Sequence, residues 1–160
     1  MTTRSGGDPG PSTVVGWREW VWLPDLLPDP ADAVKAKIDT GARTSTIHAW
    51  DVEPVIRDGT DWLRFSLHPR QKDDRHVVVA EARLLDEREI RSSNGEIERR
   101  PVIETTLAIG DHRIPIELTL TKRDQMGFRM LLGRTAMAGA LLVDPSTSYR
   151  TGGSQRRPPR

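Results

Sequence analysis

An aspartate directly after a short apolar stretch is the feature of this sequence best suited to chemistry. In KAKIDTGARTSTIHA, Asp39 follows Ile38 and is itself followed by Thr40 and Gly41. Glycine permits backbone conformations closed to other residues, and a threonine hydroxyl is able to brace a tight loop. Such a loop presents a carboxylate rigidly, as acid–base chemistry requires. The simpler interpretation is a turn aspartate that accepts local backbone hydrogen bonds where a strand ends.

The sequence shows no motif for a thiol, ATP or zinc site. The sequence has no cysteine, which excludes disulfides, a catalytic thiol and a thiolate metal site. It also lacks a Gly-x-x-x-x-Gly-Lys-Ser/Thr loop for ATP phosphates and a His-Glu-x-x-His pair for zinc. The four histidines are scattered without ligand spacing and are interpreted as solvated or structural: His48, His68, His76 and His112. We therefore expect neither a metal nor another cofactor.

Length and charge narrow the class of protein. A chain of 160 residues suits one domain with a single core. The 24 basic and 23 acidic residues give a net charge of +1, so no overall field favours nucleic acid, a membrane or acidic partners. No stretch approaches the length that spans a membrane, and the first residues have no apolar signal-like run. We expect a soluble, cytoplasmic protein.

Both ends of the chain have the composition of disordered tails. Residues 1–13 are rich in Gly, Pro, Ser and Thr, and residues 150–160 contain no apolar side chain. The folded domain is therefore predicted over residues 14–149. The C-terminal tail is rich in arginine, and an RNA-associated adaptor that uses this tail is a minor alternative function.

Between the tails the chain is dominated by predicted strands. Alternation is clearest in WLRFSLH and IPIELTL, and turn signals such as Asp58-Gly59, Asn94-Gly95 and Gly110-Asp111 separate the apolar runs. Helix is predicted only over residues 134–142, where Ala, Met and Leu follow a glycine. These patterns predict an all-β, barrel-like protein with one short helix near the C-terminus.

Two motifs resemble the retropepsin-like aspartic peptidases. The first is Asp39-Thr40-Gly41-Ala42 with the aliphatic Ile47 behind it, and the second is Leu131-Leu132-Gly133-Arg134 before the predicted helix. The stretch SSNGE resembles the flap hairpin of that family. More closely, residues 14–149 resemble a bacterial RimB-like family, often labelled ATP-dependent zinc proteases and associated with RimK-type ATP-grasp glutamate ligases. The sequence supports neither the ATP nor the zinc of that label.

The resemblance implies a closed acid-protease barrel and a mechanism. Two Asp39 carboxylates, one from each subunit of a homodimer, would activate one water and hydrolyse a peptide bond in a protein or peptide substrate. The implied roles are catalytic for Asp39, Thr40 and Gly41; substrate-binding for Ala42, Ser93, Asn94 and Gly95; and supportive of the site for Leu131, Leu132, Gly133 and Arg134. An ATP-grasp ligase is the implied partner.

The sequence leaves two alternatives: the partner of Arg134 in a dimer, and the choice between a peptidase and a peptide-binding module. Viral retropepsins carry an acidic residue after Asp-Thr-Gly-Ala that pairs with the Gly-Arg arginine, and here that place is Arg43. Arg134 must then find another carboxylate, or the dimer must be built differently. A non-catalytic module that binds an extended peptide on the same fold is the alternative function, and the Asn94-Gly95 hairpin is equally well interpreted as an exposed turn.

Overall fold

The computed structural model describes residues 13–70, 73–91, 94–124 and 127–151. Its secondary structure consists almost entirely of strands, with one helical turn near the C-terminus. In chain order the elements are β1 Thr13–Val15, β2 Arg18–Val21, β3 Val34–Ile38, β4 Ser45–His48, β5 Trp50–Arg57, β6 Thr60–Leu67, β7 Val78–Arg91, β8 Ile97–Ile109, β9 His112–Thr121, β10 Met130–Leu132, α1 Arg134–Met137 and β11 Leu141–Val143.

Nine of these strands form one sheet in the order β2-β3-β10-β4-β9-β8-β7-β6-β5, and β1 pairs with β11 in a separate parallel ribbon. The all-β class with one short helix is therefore confirmed. In the described part of the chain the sheet runs from β2 at one end to β5 at the other, so closure of the barrel is not confirmed. A single bridge between Trp22 and Ala108 links the end of β2 to β8 across the sheet.

The core follows from the alternation seen in the sequence. In β6, Leu63, Phe65 and Leu67 are buried while the residues between them are partly exposed. The same period places Val34, Ala36 and Ile38 of β3 inside, with lysines on the opposite face. Because successive side chains of a strand point to opposite faces, each strand contributes one row to the core and one row to the cleft or to solvent.

The insertion of β10 between β3 and β4 determines where the site lies. β10 pairs in parallel with β3, with Leu132 opposite Ile38, and antiparallel with β4, with Leu131 opposite Thr46. Strands β3 and β4 are joined only by residues 39–44, so this loop passes over the end of β10. The two motifs singled out in the sequence are thus brought together although about ninety residues separate them.

The helix is shorter than the sequence predicts. It covers only residues 134–137, because Gly139 adopts a positive φ of 85° and residues 141–143 continue as β11. The pairing of β11 with β1 overrides the helix propensity of Ala and Leu. The prediction of helix over residues 138–142 was wrong.

Residues 50–85 form a hairpin and the start of a further strand between the Asp39 loop and the β7–β8 turn. β5 and β6 pair antiparallel through a turn at Asp58-Gly59, and β7 continues the meander. The aromatic side chains of this region differ in environment, because Phe65 is fully buried whereas Trp50 and Trp62 are half-buried.

Within the described residues, no helix is long and apolar enough to cross a membrane.

Candidate active site

The loop that carries Asp39 is held by backbone hydrogen bonds on both sides of the carboxylate. The Asp39 N–H donates to the Leu132 carbonyl at 2.9 Å, which continues the β3–β10 pairing by one residue. The Gly41 N–H donates to Asp39 Oδ1 at 2.9 Å, and the Ala42 N–H donates to the Asp39 carbonyl at 3.2 Å. Asp39 is half-buried, while Thr40 and Gly41 are exposed. The loop therefore fixes the carboxylate while leaving it accessible.

The start of α1 holds the second half of the same loop. The Arg134 N–H donates to the Ala42 carbonyl at 2.8 Å, and Thr135 donates to the Arg43 carbonyl through its N–H at 3.1 Å and its hydroxyl at 2.8 Å. The Gly133 N–H donates to the buried Ser45 Oγ at 3.0 Å. These bonds lock residues 42–45 onto residues 133–135.

Gly133 is glycine because the two segments touch there. A Cβ on this residue would lie 2.7 Å from the Thr44 carbonyl carbon and 2.9 Å from both the Thr44 nitrogen and the Arg43 oxygen. Real Cβ atoms do not approach backbone atoms so closely, so any side chain would push the Asp39 loop away from α1. The Gly-Arg motif thus supports the Asp39 loop sterically as well as through hydrogen bonds.

Asp39 opens into a cleft of about 1150 Å³. Leu131 and Ala42 supply apolar surface beside the carboxylate, and Asn94 reaches the cleft from the β7–β8 hairpin. Among the described residues that line it, six are cationic and four are anionic: Lys37, Arg43, Arg88, Arg91, Arg100 and Arg123 against Asp39, Glu89, Glu117 and Asp124. This volume is in the range of ligand-binding clefts. Two of the cations are paired with carboxylates outside this lining, Arg100 with Glu98 and Arg123 with Glu96.

A buried polar network underlies the cleft floor. Arg100, only 6% exposed, donates to Glu98 at 3.0 Å and to the Thr46 hydroxyl at 3.4 Å. The Thr121 hydroxyl also donates to Glu98, at 3.1 Å, and the Thr46 hydroxyl donates to the Thr119 carbonyl at 3.1 Å. Each buried group has a partner, so the network makes the floor rigid at low desolvation cost.

The hairpin that faces Asp39 contains the predicted turn. β7 and β8 pair up to Arg91 and Ile97, and Gly95 adopts a φ of 86°. The Asn94 side chain accepts the Glu96 N–H at 3.1 Å, which fixes the turn, while the Gly95 carbonyl accepts from Arg91 at 3.3 Å. Ser93, a predicted substrate contact, lies outside the described residues. Asn94 therefore lines the cleft and Gly95 lies next to it in the turn, and their contact with substrate stays a prediction.

Arg43 and Arg134 flank the Asp39 loop without forming the viral type of ion pair. Arg134 Nη1 lies 3.4 Å from the Gly41 carbonyl, and both arginines are exposed. In the described part of the chain, no carboxylate lies within ion-pair distance of either guanidinium. Their charges are therefore available to a second molecule at this end of the protein.

Comparison with known proteins agrees with this geometry. Residues 14–152 match a family model described as RimB-like, retropepsin-like aspartic endopeptidase RimB. The chain belongs to the RimB-like family. Curated relatives include a protein of Shewanella halifaxensis, 48% identical over 139 residues, and one of Parasynechococcus marenigrum, 47% identical over 140 residues. Both are named probable alpha-L-glutamate ligase.

The chain spans only part of those ligases. The matches cover 87% of this chain but 30% and 29% of the respective relatives. A solved structure from Legionella pneumophila, of a protein with unknown function, is also similar, with a TM-score of 0.72 and 26% identity. That match covers 87% of this chain and 98% of the Legionella chain. The matched region is therefore nearly the whole of the solved Legionella chain but less than a third of the length of the two curated relatives.

The histidines of this RimB-like chain lie away from Asp39 in structural contacts. His48 and His68 stack on opposite sides of Trp50, at 3.8 and 3.7 Å between ring centroids, and burial followed by the Arg129 charge lowers the pKa of His48. The remaining two bond to Asp32 and Thr13, through His76 and His112 respectively. Among the described residues, no group of three or more His, Asp or Glu side chains could hold a metal ion.

Sequence reasoning missed most of the cationic cleft residues. Lys37 lies two residues before Asp39 on the face of β3 opposite Ile38, so strand alternation alone could have placed it beside the site. Arg88 and Arg100 come together only through the β7–β8 register, in which they are direct partners. No local pattern indicates that register, which explains why these two residues were not found.

Proposed function

We propose that this chain is an aspartic endopeptidase that works as a homodimer with one Asp39 from each subunit. The observation that supports this most directly is the position of Asp39: at a strand end, fixed by Leu132 and Gly41, and open to a peptide-sized cleft. Thr40 and Gly41 are exposed beside it, where a second copy would meet them. The family model's description supports the same assignment.

The chemistry requires two carboxylates that share one proton. The ionised carboxylate takes a proton from water, and the protonated one donates a hydrogen bond to the scissile carbonyl, so that the hydroxide equivalent attacks a polarised carbon. Two close carboxylates cannot both ionise cheaply, which separates their pKa values. This pairing makes the division of labour possible near neutral to acidic pH.

The second carboxylate is best supplied by the partner subunit. Of the other acids in the cleft, Glu117 pairs with Arg88 at 2.8 Å and Asp124 accepts the Gly127 N–H at 3.0 Å. Glu89 lies on β7, paired with Arg99 of β8, and so belongs to the hairpin and not to the Asp39 loop. A twofold axis beside Asp39 brings an identical, equally rigid carboxylate to it without any rearrangement.

The charge of the cleft favours a substrate rich in acidic side chains. Among the described residues, Arg43 and Arg91 line the cleft without a carboxylate in ion-pair distance, and each guanidinium can bind a carboxylate through two parallel hydrogen bonds. Because the curated relatives are named glutamate ligases, we place the enzyme beside an ATP-grasp ligase partner. We place it in the cytoplasm, which suits a chain without cysteine.

The test compares the parent protein with Asp39→Asn on quenched fluorescent decapeptides rich in glutamate. Asparagine preserves size but cannot accept or hold the shared proton, so hydrolysis should fall by roughly 10²- to 10⁴-fold or more. Asp58→Asn is the matched control, because Asp58 occupies the remote β5–β6 turn with a φ of 51° that asparagine also tolerates. This control should cleave like the parent.

Two outcomes decide against the proposal. An Asp39→Asn protein that cleaves as fast as the parent would show that the carboxylate has no catalytic role. A parent that binds acidic peptides but cleaves none of them at any pH would favour the alternative, a non-catalytic peptide-binding module.

A further inference from the structure

The cleft floor continues across the sheet beyond the cleft itself. Strand register joins five side chains in one row: Thr119 lies opposite Thr46, Thr46 opposite Leu131, Leu131 opposite Lys37, and Lys37 opposite Arg18. Directly paired residues project from the same face of a sheet. Four members of this row line the cleft, and Arg18 on β2 is the fifth. The face that holds substrate therefore extends by one strand to Arg18.

The Arg18 side chain is held in place by two aromatic rings and a hydroxyl. Its guanidinium carbon lies 4.6 Å from the centre of the Trp17 ring and 4.9 Å from that of Tyr149. Its Nε donates to the Ser148 hydroxyl at 3.2 Å. The rings are themselves fixed, since Tyr149 stacks on Trp20 at 5.7 Å and Trp17 packs edge-on against Phe128 at 6.0 Å.

Arg18 differs from the neutralised arginines of the cleft. Arg88 is paired with Glu117 at 2.8 Å, and Arg100 with Glu98 at 3.0 Å. In the described ranges, no carboxylate lies within ion-pair distance of Arg18. A guanidinium that is ordered by aromatic stacking loses little conformational freedom when it binds an anion, and its terminal N–H groups match a carboxylate in geometry.

We propose that Arg18, with Trp17 and Tyr149, forms a distal subsite that binds an acidic side chain of the peptide in the cleft. This inference rests on the proposed function, which places the scissile bond at Asp39. Arg18 lies one strand, or about 4.8 Å, from β3 and opposite a residue two positions before Asp39. An extended peptide advances about 3.3 Å per residue, so the acid that Arg18 binds is roughly two to four residues from the scissile bond.

Binding is tested without catalysis, in proteins that all carry Asp39→Asn. The probes are two fluorescein-labelled decapeptides, one with glutamate at alternate positions and one with glutamine in their place. Arg18→Gln should weaken binding of the glutamate peptide by about tenfold, as expected for one lost charge-assisted contact, and leave the glutamine peptide unchanged. Arg18→Lys should lose less affinity for the glutamate peptide than Arg18→Gln, because lysine keeps the positive charge but lacks the two parallel N–H donors of the guanidinium.

Arg113→Gln is the matched control. Arg113 also lies over a tryptophan, 5.2 Å from the Trp22 ring, but it is exposed at the start of β9 and does not line the cleft. Its loss removes the same net charge, so a general electrostatic effect would weaken binding in both variants. We expect the control to bind both peptides like its Asp39→Asn parent.

The outcomes separate this inference from the proposed function. Equal binding of the glutamate peptide before and after Arg18→Gln overturns the distal subsite, even if the parent enzyme proves to be a peptidase. A loss of affinity that is equal for both peptides also overturns it, because that result indicates a structural role. Arg18-dependent binding in a protein whose Asp39 form hydrolyses no peptide supports the subsite and refutes the proposed catalysis.

Discussion

At the scale of single residues, a few backbone contacts hold the Asp39 loop in place, and the closest of them, at Gly133, leaves no room for a side chain. The Leu132 carbonyl and the Gly41 N–H fix Asp39, and Gly133 allows the loop and α1 to touch. These residues were predictable from sequence because each belongs to a short local motif. Arg18 and Arg100 were not, since their positions depend on strand register between segments far apart in the chain.

Replacing Gly133 by alanine tests whether this contact positions the site. The added Cβ would meet backbone atoms of Arg43 and Thr44 at 2.7 to 2.9 Å, so the loop must shift. We expect a loss of about 1–3 kcal/mol in the free energy of unfolding, together with a large drop in kcat. Urea denaturation and peptide hydrolysis measure the two effects.

Gly59→Ala is the companion variant for that experiment. Gly59 has a φ of 75° in the β5–β6 turn, and a Cβ there would meet nothing within 4 Å. It should lose about 1 kcal/mol of stability through backbone strain but keep the kcat of the parent. If Gly133→Ala also keeps full activity, the contact with α1 does not position Asp39.

At the scale of elements, the strands in the middle of the chain were predictable, and the short strands near its two ends were not. Alternating residues in β6, β8 and β9 indicate strands directly, whereas β1, β2 and β11 contain three or four residues each. Such short segments become strands only through partners elsewhere in the chain: β1 pairs with β11, more than 120 residues away. Whether β1, β2 and β11 form strands therefore depends on tertiary pairing, which no local sequence pattern indicates.

The buried carboxylate of Glu19 links β2 to the segment that follows β11. Glu19 is fully buried and accepts four hydrogen bonds: from the Gly16 N–H at 2.6 Å, the Arg150 N–H at 2.8 Å, and Thr151 through its N–H at 3.2 Å and its hydroxyl at 2.9 Å. Sequence composition predicts a disordered tail from residue 150, yet residues 150 and 151 are bound here. The anchor also holds Tyr149 beside Arg18.

Glu19→Gln should therefore destabilise the protein. The glutamine amide places an N–H group where a carboxylate oxygen accepts, which leaves a buried donor unpaired and costs about 1–3 kcal/mol. The measurement is urea denaturation, with hydrogen exchange at residues 150 and 151 as a local readout. Glu53→Gln, at an exposed ion pair with Arg64, is the control and should change stability by less than about 0.5 kcal/mol. Equal stability of the Glu19 variant and the parent would contradict the anchor.

At the scale of the whole molecule, one chain supplies one rigid Asp39 and two exposed arginines, Arg43 and Arg134, at the same end. The proposed dimer would place these groups at its twofold axis, so the assembly itself completes the active site. Sequence motifs predict the half-site of one subunit. They do not predict how two half-sites meet, because the acidic partner seen in viral enzymes is replaced here by Arg43.

Mixing parent and Asp39→Asn subunits tests the shared site most directly. The two proteins are combined at increasing proportions, allowed to exchange subunits, and assayed on the glutamate-rich decapeptide at fixed total concentration. If each site needs both Asp39 carboxylates, activity follows the square of the parent fraction, and an equimolar mixture retains roughly one quarter of the parent activity. Activity that falls in simple proportion, to roughly one half at equimolar mixing despite verified exchange, would show that each subunit works alone and would contradict the two-aspartate site.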